Sequence, residues 1–155
     1  MESIAVVGIA NLFPGSNAPE TFWQQLLEKK DCRGQAGIAQ MGLDPQLYLG
    51  KKGDADKYYC LHGGYISDFS FDVSMFINDD IGLTASYLEQ LDDLHQWALF
   101  VSYQALVDAG YWRHESLAQC GAILGNLSFP TKSSNQIFMP LYQQVVNNAL
   151  EKLLE

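Results

Sequence analysis

Leu88, Leu91, Leu94, Ala98, Val101 and Ala105 recur at three- and four-residue steps, and Trp97 and Leu106 widen the stripe. That spacing predicts one long helix from Thr84 or Ser86 to Ala109, closed by Gly110 in a left-handed cap. A stripe this long has to be covered by a second layer. Candidate strands flank it. Ile4-Ala5-Val6-Val7 is a β-branched run stopped by Gly8 and reads as a buried strand. Cys120-Gly121-Ala122-Ile123-Leu124-Gly125 reads as a second short apolar strand. Between the first strand and the long helix, Pro19 suits the first position of a helix and Glu20 its positive end. Phe22, Trp23, Leu26 and Leu27 share one face there, with Lys29-Lys30 fitting the last turn. Strands separated by helices of this length predict an α/β layered sheet.

Elsewhere the periodicity is weaker. Seven of the thirteen glycines fall between Gly34 and Gly64, so Asp31 to Gly64 reads as a long excursion with little regular structure. Tyr65, Ser67, Phe69 and Phe71 alternate with Ile66, Asp68, Ser70 and Asp72, the pattern of a half-exposed strand or extended segment. After a polar loop from Asn126 to Ser134, a last helix carries Leu141, Val145, Val146, Ala149, Leu150, Leu153 and Leu154 on one face.

Charge narrows the function classes. Nine Lys+Arg against eighteen Asp+Glu give a formal net charge of −9, and no basic cluster exists to neutralise phosphates. Nucleic acid and anionic membranes are therefore not expected partners. Cys32, Cys60 and Cys120 are odd in number and widely spaced, which predicts a reducing, cytoplasmic setting rather than a disulfide framework. The start at Met1-Glu2-Ser3 lacks a basic region, and Ile4 to Phe13 is broken by Gly8 and Asn11, so no signal peptide is expected. Ser133 to Leu150 is uncharged but too rich in Asn and Gln to cross a bilayer.

The residue chemistry by itself does not spell an active site. Gly8 and Gly15 stand seven apart, and neither a dinucleotide fingerprint nor a phosphate-loop lysine follows, so a nucleotide-binding enzyme is disfavoured. Cys60-Leu61-His62 lacks the second ligand pair that a zinc site needs. Cys120 reads as a buried small hydrophobe. His95 stands three residues after Asp92, a spacing that more often makes a surface ion pair than a catalytic base. His114, after Trp112-Arg113, reads as a solvated loop residue. No metal site and no catalytic residue are assigned.

The order of short motifs does point somewhere. Ile4-Ala5-Val6-Val7-Gly8-Ile9-Ala10-Asn11-Leu12-Phe13-Pro14-Gly15 resembles the opening of a β-ketoacyl synthase domain: an apolar strand, a glycine, a short polar stretch and Phe-Pro-Gly. Ala18-Pro19-Glu20-Thr21-Phe22-Trp23-Gln24-Gln25-Leu26-Leu27 is similar to that family's next segment, a Pro-Glu start followed by a Phe-Trp helix. So are Gly63-Gly64-Tyr65-Ile66-Ser67-Asp68-Phe69-Ser70-Phe71-Asp72, Gln104-Ala105-Leu106-Val107-Asp108-Ala109-Gly110 and Gly121-Ala122-Ile123-Leu124-Gly125. Five matches in the family's order span nearly the whole chain. The wording of Asp56-Lys57-Tyr58-Tyr59-Cys60 and of Phe129 to Gln136 is similar to ketosynthases of bacterial polyunsaturated fatty acid synthases, within the subunit that joins a ketosynthase to a chain-length factor. One departure stands out: Leu91-Asp92-Asp93-Leu94-His95-Gln96 replaces the family's Leu-Asp-Pro-Gln-Gln-Arg and removes a typical contact.

The resemblance implies a thiolase-like α/β fold of two related halves, with residues 1–155 supplying an incomplete first half. It implies an acyltransferase that condenses malonyl and acyl thioesters carried on the phosphopantetheine of acyl carrier protein, with no cofactor bound directly. It implies other synthase subunits as partners and a dimeric parent. The family's nucleophile is a cysteine at an Ala-Cys-Ser-Ser-type elbow, helped by two histidines and a lysine further on. None of these motifs occurs before Glu155, so the chain alone is expected to be a truncated, inactive N-terminal region. Matching Gly125 onto the family places Asn126, Leu127, Ser128 and Phe129 near the acyl pocket and dimer interface. The competing expectation is a non-catalytic module that uses a ketosynthase-like half to bind carrier protein or a partner subunit.

Overall fold

The structure, a computed structural model, describes residues 3–78, 82–127 and 130–154. In chain order its elements are α1 (Pro19–Leu27), β1 (Gly34–Gln35), α2 (Ile38–Met41), β2 (His62–Gly63), α3 (Ala85–Glu89), α4 (Asp93–Asp108), α5 (Lys132–Leu141) and α6 (Asn147–Leu154). Single 3-10 turns lie at Pro45–Tyr48, Val73–Met75 and Glu115–Gln119, and a π-helical turn, Tyr142–Val146, joins α5 to α6. The chain divides into two compact units, Met1–Arg33 with Ile66–Asn126, and Gly34–Tyr65 with Leu127–Glu155.

In the first unit, α1 begins at Pro19 as its sequence predicts, because the fixed φ of proline suits a position whose N–H is unused anyway. It ends at Leu27, where the Glu28 N–H returns to the Gln24 carbonyl at 3.0 Å and Lys29 takes a left-handed φ of 54°. The residue that α1 buries is Gln25; Trp23, Leu26 and Leu27 are largely exposed.

The expected single long helix is two helices. Thr84 caps α3 by accepting from the Tyr87 N–H, and Asp92 caps α4 by accepting from the Leu94 N–H at 3.2 Å. Two side-chain caps within nine residues restart the chain, although the apolar stripe runs through both. The Gln96 amide donates to the Leu88 carbonyl at 3.1 Å across the break, and Leu88 is fully buried. At its far end α4 closes as predicted. Gly110 has φ 74°, its N–H reaches Val107 O at 3.0 Å, and the Tyr111 N–H reaches Leu106 O at 2.8 Å. These are the paired bonds of a Schellman cap.

Neither expected strand of this unit enters a ladder among the described residues. Residues 3–10 and 121–127 lie in no helix or ladder and are mostly exposed: Ile4 is 95% and Ile123 99% accessible, so the burial expected for Ile4–Val7 and for Cys120 does not hold. Tyr65 to Asp72 likewise lies in no helix or ladder and bends at Asp68, so the strand form of its expectation does not hold. The physical reason is common to all three. A strand's backbone groups need a partner strand, and none of the described residues supplies one.

The second unit holds the sheet. β1 and β2 pair antiparallel, with Gly34 opposite Gly63 and Gln35 opposite His62. The Ala36 N–H continues the pairing to Leu61 O at 2.8 Å, and Ala36, Tyr48 and Leu61 are buried. As expected, the excursion between them has little regular structure. The helix α5 begins at Lys132, earlier than its sequence predicts, because Thr131 and Ser134 form a capping box. It meets α2 where the Asn135 amide donates to Met41 O at 3.2 Å. Pro140 sits inside α5 and lacks an N–H, and the ladder loosens into the π turn directly after it.

Candidate functional site

Phe13-Pro14-Gly15-Ser16 forms a tight turn. Pro14 presets its second position and Gly15, at φ 70°, supplies the left-handed third. Phe13 and Ser16 exchange backbone hydrogen bonds of 2.7 and 2.9 Å. The turn is held from inside: buried Gln25 donates to Gly15 O at 2.7 Å, and the Phe13 and Phe22 rings lie 4.7 Å apart. Asn11 donates to Ser16 Oγ at 3.1 Å, and that hydroxyl donates to Ala18 O at 3.0 Å. Asn11 Oδ1 is buried with no hydrogen bond to a described residue. A cavity of about 130 Å³ opens beside the turn, between Leu12, Ser16, Ile66 and Phe69.

The segment preceding this turn is seated on α4. The Ile9 N–H donates to Asp108 Oδ2 at 2.8 Å, and Gly8 lies against the Ala105 carbonyl and Ala109 with no space for a Cβ. The resemblance motifs Ile4–Gly15 and Gln104–Gly110 thus meet in space. The third motif is ordered as well. Phe71 stacks on Phe76 with centroids 5.1 Å apart, and Asp72 caps the turn Val73–Met75. Its Oδ1 accepts from Ser74 Oγ at 2.7 Å and from the Ser74 N–H at 3.0 Å. These bonds, the hydroxyl's first, hold the Asp72 carboxyl below its ordinary value of 3.8.

The residues weighed for chemistry stay apart. Cys60 Sγ accepts from the His62 N–H at 3.4 Å, and both residues are exposed beside a cleft of about 290 Å³. Among the described residues no three His, Cys, Asp or Glu side chains are grouped to hold a metal. Cys120 is exposed, against the expectation of burial, and its thiol points to Ser116 O at 3.5 Å. His114 is not merely solvated, since its Nδ1 caps the turn Glu115–Gln119 by accepting from the Ser116 N–H at 3.2 Å. His95 is exposed on α4. Of the four residues expected near an acyl pocket, Asn126 and Leu127 are exposed outside any helix or ladder, and Ser128 and Phe129 lie outside the described residues. No described helix is long and apolar enough to cross a membrane. What the sequence did not signal is an aromatic cluster of Phe71, Phe76, Tyr103 and Trp112, contributed by segments far apart in the chain.

The ordered motifs that meet at the start of the chain and the end of α4 belong to a known class. Residues 1–149 match the family model described as the β-ketoacyl synthase N-terminal domain, and the chain belongs to that family. Among solved structures it is similar to a PfaC keto synthase-chain length factor, with 65% identity and a TM-score of 0.77, covering 95% of this chain and 15% of that one. Among curated proteins it is 28% identical over 97% of its length to a polyunsaturated fatty acid synthase of Thraustochytrium sp., of which it covers 5%. It is 32% identical over 72% of its length to polyketide synthase ThaG of Burkholderia thailandensis, of which it covers 2%. The chain therefore spans a small part of the synthases it matches, and the resemblance to the ketosynthase and chain-length-factor type holds.

Proposed function

We propose that these residues are the N-terminal part of a β-ketoacyl-[acyl carrier protein] synthase of polyunsaturated fatty acid or polyketide biosynthesis. The observation that carries this reading is the family match over residues 1–149 together with 65% identity to a keto synthase-chain length factor. The reaction is a decarboxylative Claisen condensation. An acyl group passes from the phosphopantetheine sulfur of acyl carrier protein to a cysteine sulfur. A malonyl unit loses carbon dioxide, its carbanion attacks the acyl carbonyl, and the cysteine thiolate leaves. Donors aimed at the developing oxyanion lower the barrier. No cofactor is bound directly.

The nucleophilic cysteine and the histidines of that chemistry belong to sequence outside residues 1–155, so this chain is the scaffold of the first half and not its reacting centre. Its extended segments 3–10 and 121–127 are strands of a thiolase-like layered sheet completed by the rest of the synthase. Asn126, Leu127, Ser128 and Phe129 border the acyl pocket and dimer interface of that assembly, which works in the cytoplasm with acyl carrier protein and other synthase subunits. The exposed apolar side chains of Ile4, Ile123 and Leu127 weigh against the alternative of a self-contained binding module.

Incubation of the 155-residue chain with acyl- and malonyl-carrier protein thioesters is expected to give neither adduct nor condensation product by intact-mass analysis. A longer polypeptide that includes the cysteine elbow is expected to give both. A stoichiometric acyl adduct on Cys60 or Cys120 overturns the reading.

A further inference from the structure

Helices and turns at Asp44, Asp72, Thr84, Asp92 and Thr131 are capped by a side-chain oxygen. The turn Glu115–Gln119 is capped by a nitrogen instead. His114 Nδ1 stands 3.2 Å from the Ser116 N–H and 2.8 Å from Ser116 Oγ. A cap works by accepting a backbone N–H. Among side chains, imidazole is the one whose ordinary charge change falls between about pH 5 and about pH 8. Nδ1 accepts only when it carries no proton, with the ring neutral and its hydrogen on Nε2. Once the ring is protonated both nitrogens are donors, and Nδ1–H faces the Ser116 N–H. The contact with Ser116 Oγ survives that change, because a hydroxyl accepts as readily as it donates. The bond to the backbone does not.

What hangs on this bond is the join between α4 and the residues beyond Cys120. After the Schellman cap at Gly110 the chain turns back through short local bonds. The His114 N–H reaches Tyr111 O at 2.9 Å, the Leu117 N–H reaches His114 O at 3.1 Å, and the Cys120 N–H reaches Leu117 O at 3.1 Å. The Cys120 thiol rests on Ser116 O at 3.5 Å. From His114 to Cys120 every residue except Leu117 is exposed, so little buried surface holds the turn when its cap is lost. The titratable and charged groups beside the imidazole are Tyr111, whose ring lies edge-on at 5.5 Å, and the chain neighbours Arg113 and Glu115. Arg113 and Glu115 are opposite in sign and exposed, so solvent screens both.

We infer that His114 is a proton-operated catch on the exit from α4. Neutral, it holds the turn Glu115–Gln119 and sets the direction in which residues 121–126 leave. Protonated, it gives up the Ser116 N–H and frees that exit, while α3 and α4 keep their own oxygen caps. The device is built from this chain's residues and does not depend on the condensing role proposed above.

NMR on the isotope-labelled 155-residue chain tests the inference. Coupling through the hydrogen bond between the Ser116 amide nitrogen and His114 Nδ1 is expected at about pH 8 and lost at about pH 5. The Ser116 amide proton is expected to move upfield along the same curve as the imidazole. The amide of buried Leu88, bonded to Thr84 O at 3.0 Å, is expected to stay in place over that range. His114→Asn supplies an oxygen cap that does not titrate, so its Ser116 amide is expected to hold the bonded position throughout. Four results each overturn the inference: a neutral ring with its hydrogen on Nδ1, a Ser116 amide that ignores the imidazole, a His114→Asn chain whose amide follows pH as the wild type does, or a Leu88 amide that moves together with Ser116.

Discussion

Gly8 is placed where a side chain cannot be. A methyl there would run into the Ala105 carbonyl and the Ala109 methyl on α4. Gly8→Ala is expected to cost about 1–3 kcal/mol, read as a lower urea midpoint with unchanged slope. Its neighbour depends on a single acceptor, so Asp108→Ala should cost about 1 kcal/mol by removing the bond to the Ile9 N–H, whereas Asp108→Asn keeps an acceptor and most of the stability. Asp72 gives a pH signature. Its folded-state pKa is lowered, so its contribution is present above the ordinary value of 3.8 and is lost as pH falls through the folded value. A carboxyl-carbon NMR titration should place Asp72 below 3.8, and Ser74→Ala should move it up. An unchanged midpoint in that variant would contradict the assignment. The Asp72–Ser74 pair is local and follows from its own short segment. The partners of Gly8 and Ile9 are not written nearby, since they depend on which part of α4 the fold brings up.

Helix ends follow chemistry that sequence displays, and helix continuity does not. Pro19 and Gly110 mark a start and a stop because each fixes or frees φ regardless of tertiary context. The break between α3 and α4 is hidden because Leu88, Leu91 and Leu94 continue the stripe across it. The chain restarts where the Asp92 carboxylate accepts from the Leu94 N–H. That cap also shows which helix position the proline of the family's Leu-Asp-Pro wording would take. With Asp92 as the cap, Asp93 is the first helical residue, the position at which proline is favoured. Asp92 has φ −57° and ψ 144°, a conformation that a following proline accepts. Asp93→Pro is therefore expected to leave the melting temperature unchanged or raise it, while Asp92→Ala lowers stability by about 1 kcal/mol. A fall of several degrees for the proline variant would show that Asp93 does more than begin the helix.

Across the whole chain, the order of motifs was legible and the sheet was not. Family, the start of α1, the end of α4 and the irregular middle followed from the sequence, while the break between α3 and α4 and the early start of α5 did not. The partners that would turn Ile4–Val7 and Cys120–Gly125 into buried strands are not among the described residues, so those stretches carry strand sequence without strand burial. The aromatic cluster was illegible for a different reason, as Phe76, Tyr103 and Trp112 are spaced by no local period. Exposed apolar edges predict self-association of the 155-residue chain at micromolar concentration. Val6→Lys with Ile123→Lys is expected to reduce its light scattering several-fold and to leave the melting temperature of the helices in place.

The short β1–β2 ladder has a bearing on how this region can change over time. By joining Gly34 to Gly63 it clamps the two ends of residues 36–61 side by side, and a bridge between Leu49 and Tyr58 closes a smaller loop inside that stretch. Gly53, with φ 103° and open space where a Cβ would stand, lies in that smaller loop. Doubling that loop adds only about 0.6 kcal/mol of closure entropy. A clamp of two residues on each side therefore makes the middle of the chain a place where related proteins can gain or lose sequence while the flanking ladder keeps its register.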